Sequence, residues 1–373
     1  MYIIIMRGKI MSEELKRTYI SFRDVPKRNQ KEYTEKTQML DVNGNLLVDG
    51  GWARHDYFEF DANKARPRSK LKQWDFYQIS NGKFMAQVSF ANISLAGYIS
   101  VVLVDLKTGK KLVDSMSMFF GGKKYPLPPT SDAPNVLEYT IGKAHFKFET
   151  LEDKRILDVL MYKNKKQIKA HFEMDMLKNH ENITTILPFK DETNKFFMTT
   201  KQNCMATEGY ILFGKDEWLF DKSDTFTVLD WGRVNTPYKL VWYWGNASTY
   251  LLDKEGNKHA FGFEITWGIG DEKNATETAL FYDGKLHKFG SVDVKTFVKD
   301  RYMEKWEFES EDGRFNLTLT PTLDHHSDLN LGVLRMNSHQ VHGLYNGTVT
   351  LDDGTVLEIK DMYGFCEYVE NRW

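Results

Sequence analysis

The chain has 373 residues and a formal charge of -2, with 41% hydrophobic, 14% aromatic and 27% charged residues. This composition excludes a disordered chain, and the near balance of acids and bases excludes a global field that would draw it onto nucleic acid or an anionic membrane. Its two remote cysteines, Cys204 and Cys366, exclude a zinc knuckle or a CxxC redox pair.

In chain order, the opening "MYIIIMRGKIMSEELKR" has a very short apolar run and no small-residue cleavage site, so it does not read as a signal peptide. No run of about 18 apolar residues follows anywhere, which argues against a spanning helix. The simplest expectation is a cytoplasmic protein. "MSEELKRTYISF" predicts at most a turn or two of helix, within an N-terminal extension over residues 1–40. "DVNGNLLV" then predicts a turn at Asn43-Gly44. In "NKARPRSKLKQW", Lys64, Arg66, Arg68, Lys70 and Lys72 alternate and would share one face of a strand; a charged edge or loop explains them better than a phosphate-reading surface. "GGKKYPLPPTSDAP" reads as a long loop. "ILDVLMYKNKKQIKAHFEMDM" predicts a hairpin without glycine, with Ile168, Ala170, Phe172, Met174 and Met176 on its dry face.

The polar stretch "PFKDETNKFF" is the expected domain break, giving barrels over 41–190 and 191–373. Beyond it, "ALFYDGKLHKF", "WEFESEDGRFNLTLT" and "TVTLDDGTVLEI" each place Asp-Gly between alternating segments, the grammar of antiparallel hairpins. The pattern predicts an all-β chain of two tandem, lipocalin-sized antiparallel barrels, because sequential hairpins without a βαβ rhythm protect their edges by closing.

One segment is unusually aromatic. "LDWGRVNTPYKLVWYWGNAS" carries Trp231, Trp242 and Trp244 with Asp230 and Arg233. Pro237 can begin a strand but not sit centrally in one, so Leu240, Trp242 and Trp244 should share one face and Val241 and Tyr243 the other. Trp231 and Arg233 are then expected in the incoming turn at a barrel rim. There Arg233 either stacks on an indole to plug the barrel or anchors a ligand. "WGIGDEKN" lacks the third glycine of a dinucleotide fingerprint, and His339 and His342 would face opposite ways on a strand, so neither a dinucleotide fold nor a metal pair is expected.

This segment, with "GFEITWGIGDEKNATETALFYDGKLHKFGSV" and "GLYNGTVTLDDGTVLEIKDMYGFCEYVENRW", resembles the bacterial domain of unknown function 2804 family. That family looks like a distant neighbour of carotenoid hydratase, tocopherol cyclase and AttH-like proteins, and the resemblance implies two tandem lipocalin-like barrels without implying an assigned activity. Two functions remain open on the residues. One is binding of an apolar small molecule, such as an isoprenoid or fatty acyl group, in an aromatic-lined cavity whose candidate lining is Trp231, Arg233, Trp242, Trp244, Trp267 and His342. The other is a hydratase, cyclase or isomerase working without cofactor or metal, which needs a carboxylic acid kept neutral by burial. The acids available are Asp230, Glu264, Glu277 and Glu367, with Glu277, Glu264 and Asp230 the candidate catalytic set. The sequence leaves oligomeric state open.

Overall fold

The computed structural model describes residues 28–372, except 178, 191, 295–299, 331 and 333–334. The short helix expected in "MSEELKRTYISF" lies outside the described residues. Elsewhere the chain is nearly all β, with two large antiparallel sheets curled into a nearly closed barrel and a half-barrel. The expected turns supply the joints. Asp283-Gly284 connects Ala279–Tyr282 to Lys285–Lys288, with both turn residues at positive φ, 46° and 79°. In the hairpin of Lys154–Lys163 with Lys166–Asp175, which lacks glycine, Asn164 and Lys165 take positive φ themselves.

The larger sheet runs through thirteen strands from Gly51 to Asn235, and the second through nine, from Lys239 to Arg372. The chain therefore changes sheet at residues 236–238, around Pro237, and not near residue 190. "PFKDETNKFF" is polar because it is the exposed turn of a tight hairpin: Ile183–Phe189 pairs antiparallel with Glu192–Phe213, and Ile186 stands opposite Met198. Glu192–Phe213 and Phe226–Asn235 then remain in the first sheet, where Leu229 and Trp231 join its core. The basic stretch does not form a continuous strand either. Arg68–Lys70 is a 3-10 turn and the strand Leu71–Ser80 begins after it, so the five charges do not share a face. Lys72 is buried, its ammonium donating to the Thr236 hydroxyl at 3.2 Å.

Strand alternation sends each sheet's residues to two destinations. On Phe226–Asn235, Leu229 and Trp231 point into the first sheet's core, while Phe226 and Val234 pack with Leu240, Ala260 and Phe281 of the second sheet. On Lys239–Leu252, Tyr243 enters the second core, stacked on Trp267 at 4.6 Å, while Trp244 packs with Val228 and Phe365 between the sheets. The strand that carries Trp231 thus turns its other face toward the face that carries Trp244.

Trp231 and Arg233 sit mid-strand, not in a turn. Arg233 is fully buried, its guanidinium carbon 3.9 Å from the centre of the Trp231 ring. It donates to Asp75 at 2.9 Å and to the carbonyls of Trp74, Gly232 and Pro128. These bonds draw the proline-rich loop onto the sheet. Arg233→Ala would leave the Asp75 carboxylate buried without its partner, at an expected cost of about 3–5 kcal/mol. Arg233→Lys should recover only part of that, because an ammonium cannot reproduce the planar fork. Urea unfolding of both variants checks this.

Candidate functional site

Between the two sheets lies a cleft of about 350 Å³. Its floor belongs to the second sheet, where Lys239–Leu252, Val356–Arg372 and Arg335–Thr350 lie side by side. Their registers arrange nine cleft-lining residues in three rows: Trp244, Glu367 and Gln340; then Trp242, Val369 and Ser338; then Leu240, Asn371 and Met336. The opposite wall comes from the first sheet. Lys201, Asp230 and Phe76 form one row and Thr199, Gly232 and Trp74 the next. Gly232 is needed there, since a Cβ on it would fall 2.1 Å from the Trp74 indole. Its absence of a side chain lets that ring lie across the backbone.

The first row on each side brings charge together. The Lys201 ammonium is 2.7 Å from Asp230 Oδ1, 3.8 Å from Glu277 Oε2, and 4.1 Å from the centre of the Trp244 ring. Burial alone would lower the Lys201 pKa, but Asp230, Glu277 and Glu264 outweigh it and hold the ammonium charged. Glu277 is buried, and the Thr185 and Thr199 hydroxyls donate to its Oε1. Burial pushes its pKa up against the pull of Lys201.

Each of two tryptophans carries an acid. Trp244 Nε1 donates to Glu264 Oε2 at 2.7 Å, and Asn203 Nδ2 donates to Oε1 at 2.7 Å. Trp242 Nε1 donates to Glu367 Oε1 at 3.1 Å, and the Gln340 amide approaches Oε2 at 3.5 Å. Burial pushes Glu264 up to about 8 and Glu367 up to about 7. Their positions differ: Glu264 is fully enclosed behind Trp244, whereas Glu367 opens onto the cleft. Gln340 also binds across the gap, because Gln87 of the first sheet donates to its Oε1 at 2.8 Å.

The sequence candidates therefore separate. Asp230, Glu277, Trp242 and Trp244 line the cleft together. Trp231 and Arg233 lie inside the first sheet's core and Trp267 inside the second's. The Arg233 donors are directed at protein oxygens, the Asp75 carboxylate and the carbonyls of Trp74, Gly232 and Pro128. His342 is buried beside Gln340, its ring nitrogen 3.2 Å from Gln340 Oε1, and burial drives its pKa down to about 3. Lys201 and Trp74 were not anticipated. Lys201 had a signal: it is the lone charge in "FFMTTKQNCMAT", Phe196 to Thr207. A larger, more polar recess of about 550 Å³ around Asn81, Ser248 and Lys360 gathers none of the candidate acids or tryptophans.

Among the described residues no group of three or more His, Cys, Asp or Glu is placed to hold a metal ion, and no helix is long and apolar enough to cross a membrane.

A carboxyl whose pKa rises on folding binds its proton more tightly in the native state than in the unfolded chain. Its contribution is then fully present below about pH 4.5 and is lost as the pH climbs through the folded value, about 8 for Glu264. Stability in urea should accordingly fall across that window. Glu264→Gln, which cannot ionise, should flatten the slope, and an unchanged slope would contradict this placement.

No curated protein matches the chain. Among solved structures, kievitone hydratase from Nectria haematococca is 11% identical, covering 81% of this chain and 88% of its own, with a TM-score of 0.49. An AttH-like protein from Nitrosomonas europaea is 12% identical, covering 80% and 92%, with a TM-score of 0.46. A family model described as domain of unknown function 2804 matches residues 30–373. With its two curled sheets and the match running over nearly its whole length, the chain belongs to the DUF2804 family.

Proposed function

We propose that this protein is an acid–base enzyme that binds an apolar, unsaturated small molecule in the cleft between its sheets and transfers a proton to carbon from Glu367. The observation that carries this reading is the position of Glu367. It is a buried carboxyl whose hydrogen-bond partners among the described residues are the neutral donors Trp242 and Gln340, and it opens onto a cleft bounded by Trp74, Phe76, Trp242 and Trp244. Lifted to about 7, it is substantially protonated at neutral pH and close to the value at which a general acid works best. Indole faces beside it stabilise positive charge developing on the substrate.

Asp230 complements it from the opposite wall. Its Oδ1 lies 2.7 Å from the Lys201 ammonium, whereas Glu367 is held by neutral donors. Two carboxyls thus line one cleft in unlike settings, one beside a cation and one beside neutral donors, an asymmetry that acid–base chemistry uses. In a hydration, the Glu367 proton forms a C–H bond with one alkene carbon. Water attacks the other carbon, and the proton that water loses passes to Asp230. Product leaves with the elements of water added, and solvent returns the proton balance of the two carboxyls. In an isomerisation the same donor protonates one carbon while Asp230 removes a proton from another. Both routes begin with sequestration of an apolar ligand.

Proton transfer to carbon leaves a label. In D2O, incubation of the protein with a small-molecule extract from cells should yield a product carrying non-exchangeable deuterium by mass spectrometry. Glu367→Gln should lower its formation by at least about 10²-fold while still retaining the apolar molecule. Because the acid must be protonated, the rate should fall as the pH rises through about 7. Equal labelling by wild type and Glu367→Gln would overturn the proposal.

A further inference from the structure

Asn371 is 2% exposed and lines the cleft, and neither its Oδ1 nor its Nδ2 has a hydrogen-bond partner among the described residues. Folded proteins seldom leave a whole buried amide unpaired, since both its donor and its acceptor have given up water for nothing. In its row of the floor Asn371 lies between Leu240 and Met336, and the next lining residue along its own strand is Val369. An apolar residue of similar size would fit that setting better. The amide is thus a polar group held ready on a largely apolar stretch of the cleft floor, with Ser338 in the next row.

Its place on the strand adds a length. Glu367, Val369 and Asn371 face the cleft at alternate positions of one strand, so the acid and the amide are separated by roughly 13 Å along it, at ~3.3 Å per residue. Trp242 and Val369 occupy the row between them. A molecule with its reacting carbon at Glu367 and an apolar body across Trp242 would reach Asn371 with its far end.

Resting on the function proposed above, we infer that Asn371 is a specificity-determining residue that recognises a neutral hydrogen-bonding head group at the far end of the substrate. The group both donates and accepts, as a hydroxyl, a carboxamide or an un-ionised carboxylic acid does. A carboxylate would satisfy Nδ2 and leave Oδ1 unpaired, while an ammonium would do the reverse. The substrate class is therefore an apolar, unsaturated molecule with one neutral polar terminus remote from the site of protonation.

Two probes of equal reach separate the head group from the apolar body: 6-phenylhexanamide, whose amide donates and accepts, and methyl 6-phenylhexanoate, which only accepts. Quenching of tryptophan fluorescence should show the wild-type protein binding the amide about tenfold more tightly than the ester, the discrimination expected when a buried acceptor is left unpaired. In Asn371→Leu the ratio of the two affinities should fall to about one. The same variant should unfold at higher urea concentration than wild type, since it removes an unpaired buried amide, so a lost preference cannot be ascribed to a damaged fold. The preference should persist in Glu367→Gln. A ratio of one in the wild-type protein, with both probes bound, would overturn this inference and leave the acid–base reading standing. A preference that survives Asn371→Leu and disappears in Glu367→Gln would also overturn it, assigning recognition to the acid. Binding of neither probe to the wild-type protein would count against both.

Discussion

The structure turns on one buried ammonium. Lys201 is 3% exposed in the seam between two sheets, where an uncompensated charge would be prohibitive. Asp230 neutralises it, Glu277 stands within 4 Å, and the Trp244 ring covers it. These contacts tie together strands from both sheets: Lys201 and Asp230 from the first, Trp244 and Glu277 from the chain that builds the second. A salt bridge in such a setting adds little to stability, since desolvation offsets much of the attraction. Its effect is on position. It fixes how the sheets face one another, and its pull on Glu264 and Glu367 is outweighed by their burial. Glu264 and Glu367 then answer burial by holding their protons.

Function follows from the way the pleat distributes side chains. Each strand bordering the cleft gives alternate residues to a dry core and to the shared seam. The aromatic segment therefore has two roles along its length. Trp231 and Tyr243 fill the two cores, and Arg233 stacks on Trp231 to hold the proline-rich loop against its sheet. Trp242 and Trp244 face the seam, where each indole N–H takes hold of a carboxyl. A packing device and a chemical one share the same twenty residues because adjacent positions on a strand look in opposite directions.

The hairpins were legible because period-two alternation and turn chemistry are local. Asp283-Gly284, Asp312-Gly313 and the glycine-free turn after Lys163 all fall where the pattern puts them. The pairing of Leu240, Trp242 and Trp244 on one face was equally local, and so was the divergence of His339 from His342. The position of the sheet change was not legible, because a polar hairpin turn and a polar linker have the same composition; the hydrogen bonds of Ile183–Phe189 to Glu192–Phe213 distinguish them. The site was legible only by residue type. Asp230 and Glu277 are 47 positions apart in the sequence, and Glu367 is another 90 beyond. What unites them is register across two sheets, which no local pattern records. Asn371 was invisible for a related reason: an asparagine near a strand end usually meets water, and only the packing of the two sheets deprives this one of it.

Burial and neutral partners keep the proton on Glu367 well above the usual carboxylate range, with a midpoint near 7. Infrared difference spectroscopy between wild type and Glu367→Gln isolates the carbonyl stretch of this one group and follows it as pH is varied. The account requires a protonated carboxyl band that persists at pH 6 and disappears with a midpoint near 7. A carboxylate band already complete at pH 6, with a midpoint near the ordinary value of about 4.3 for glutamate, would contradict it.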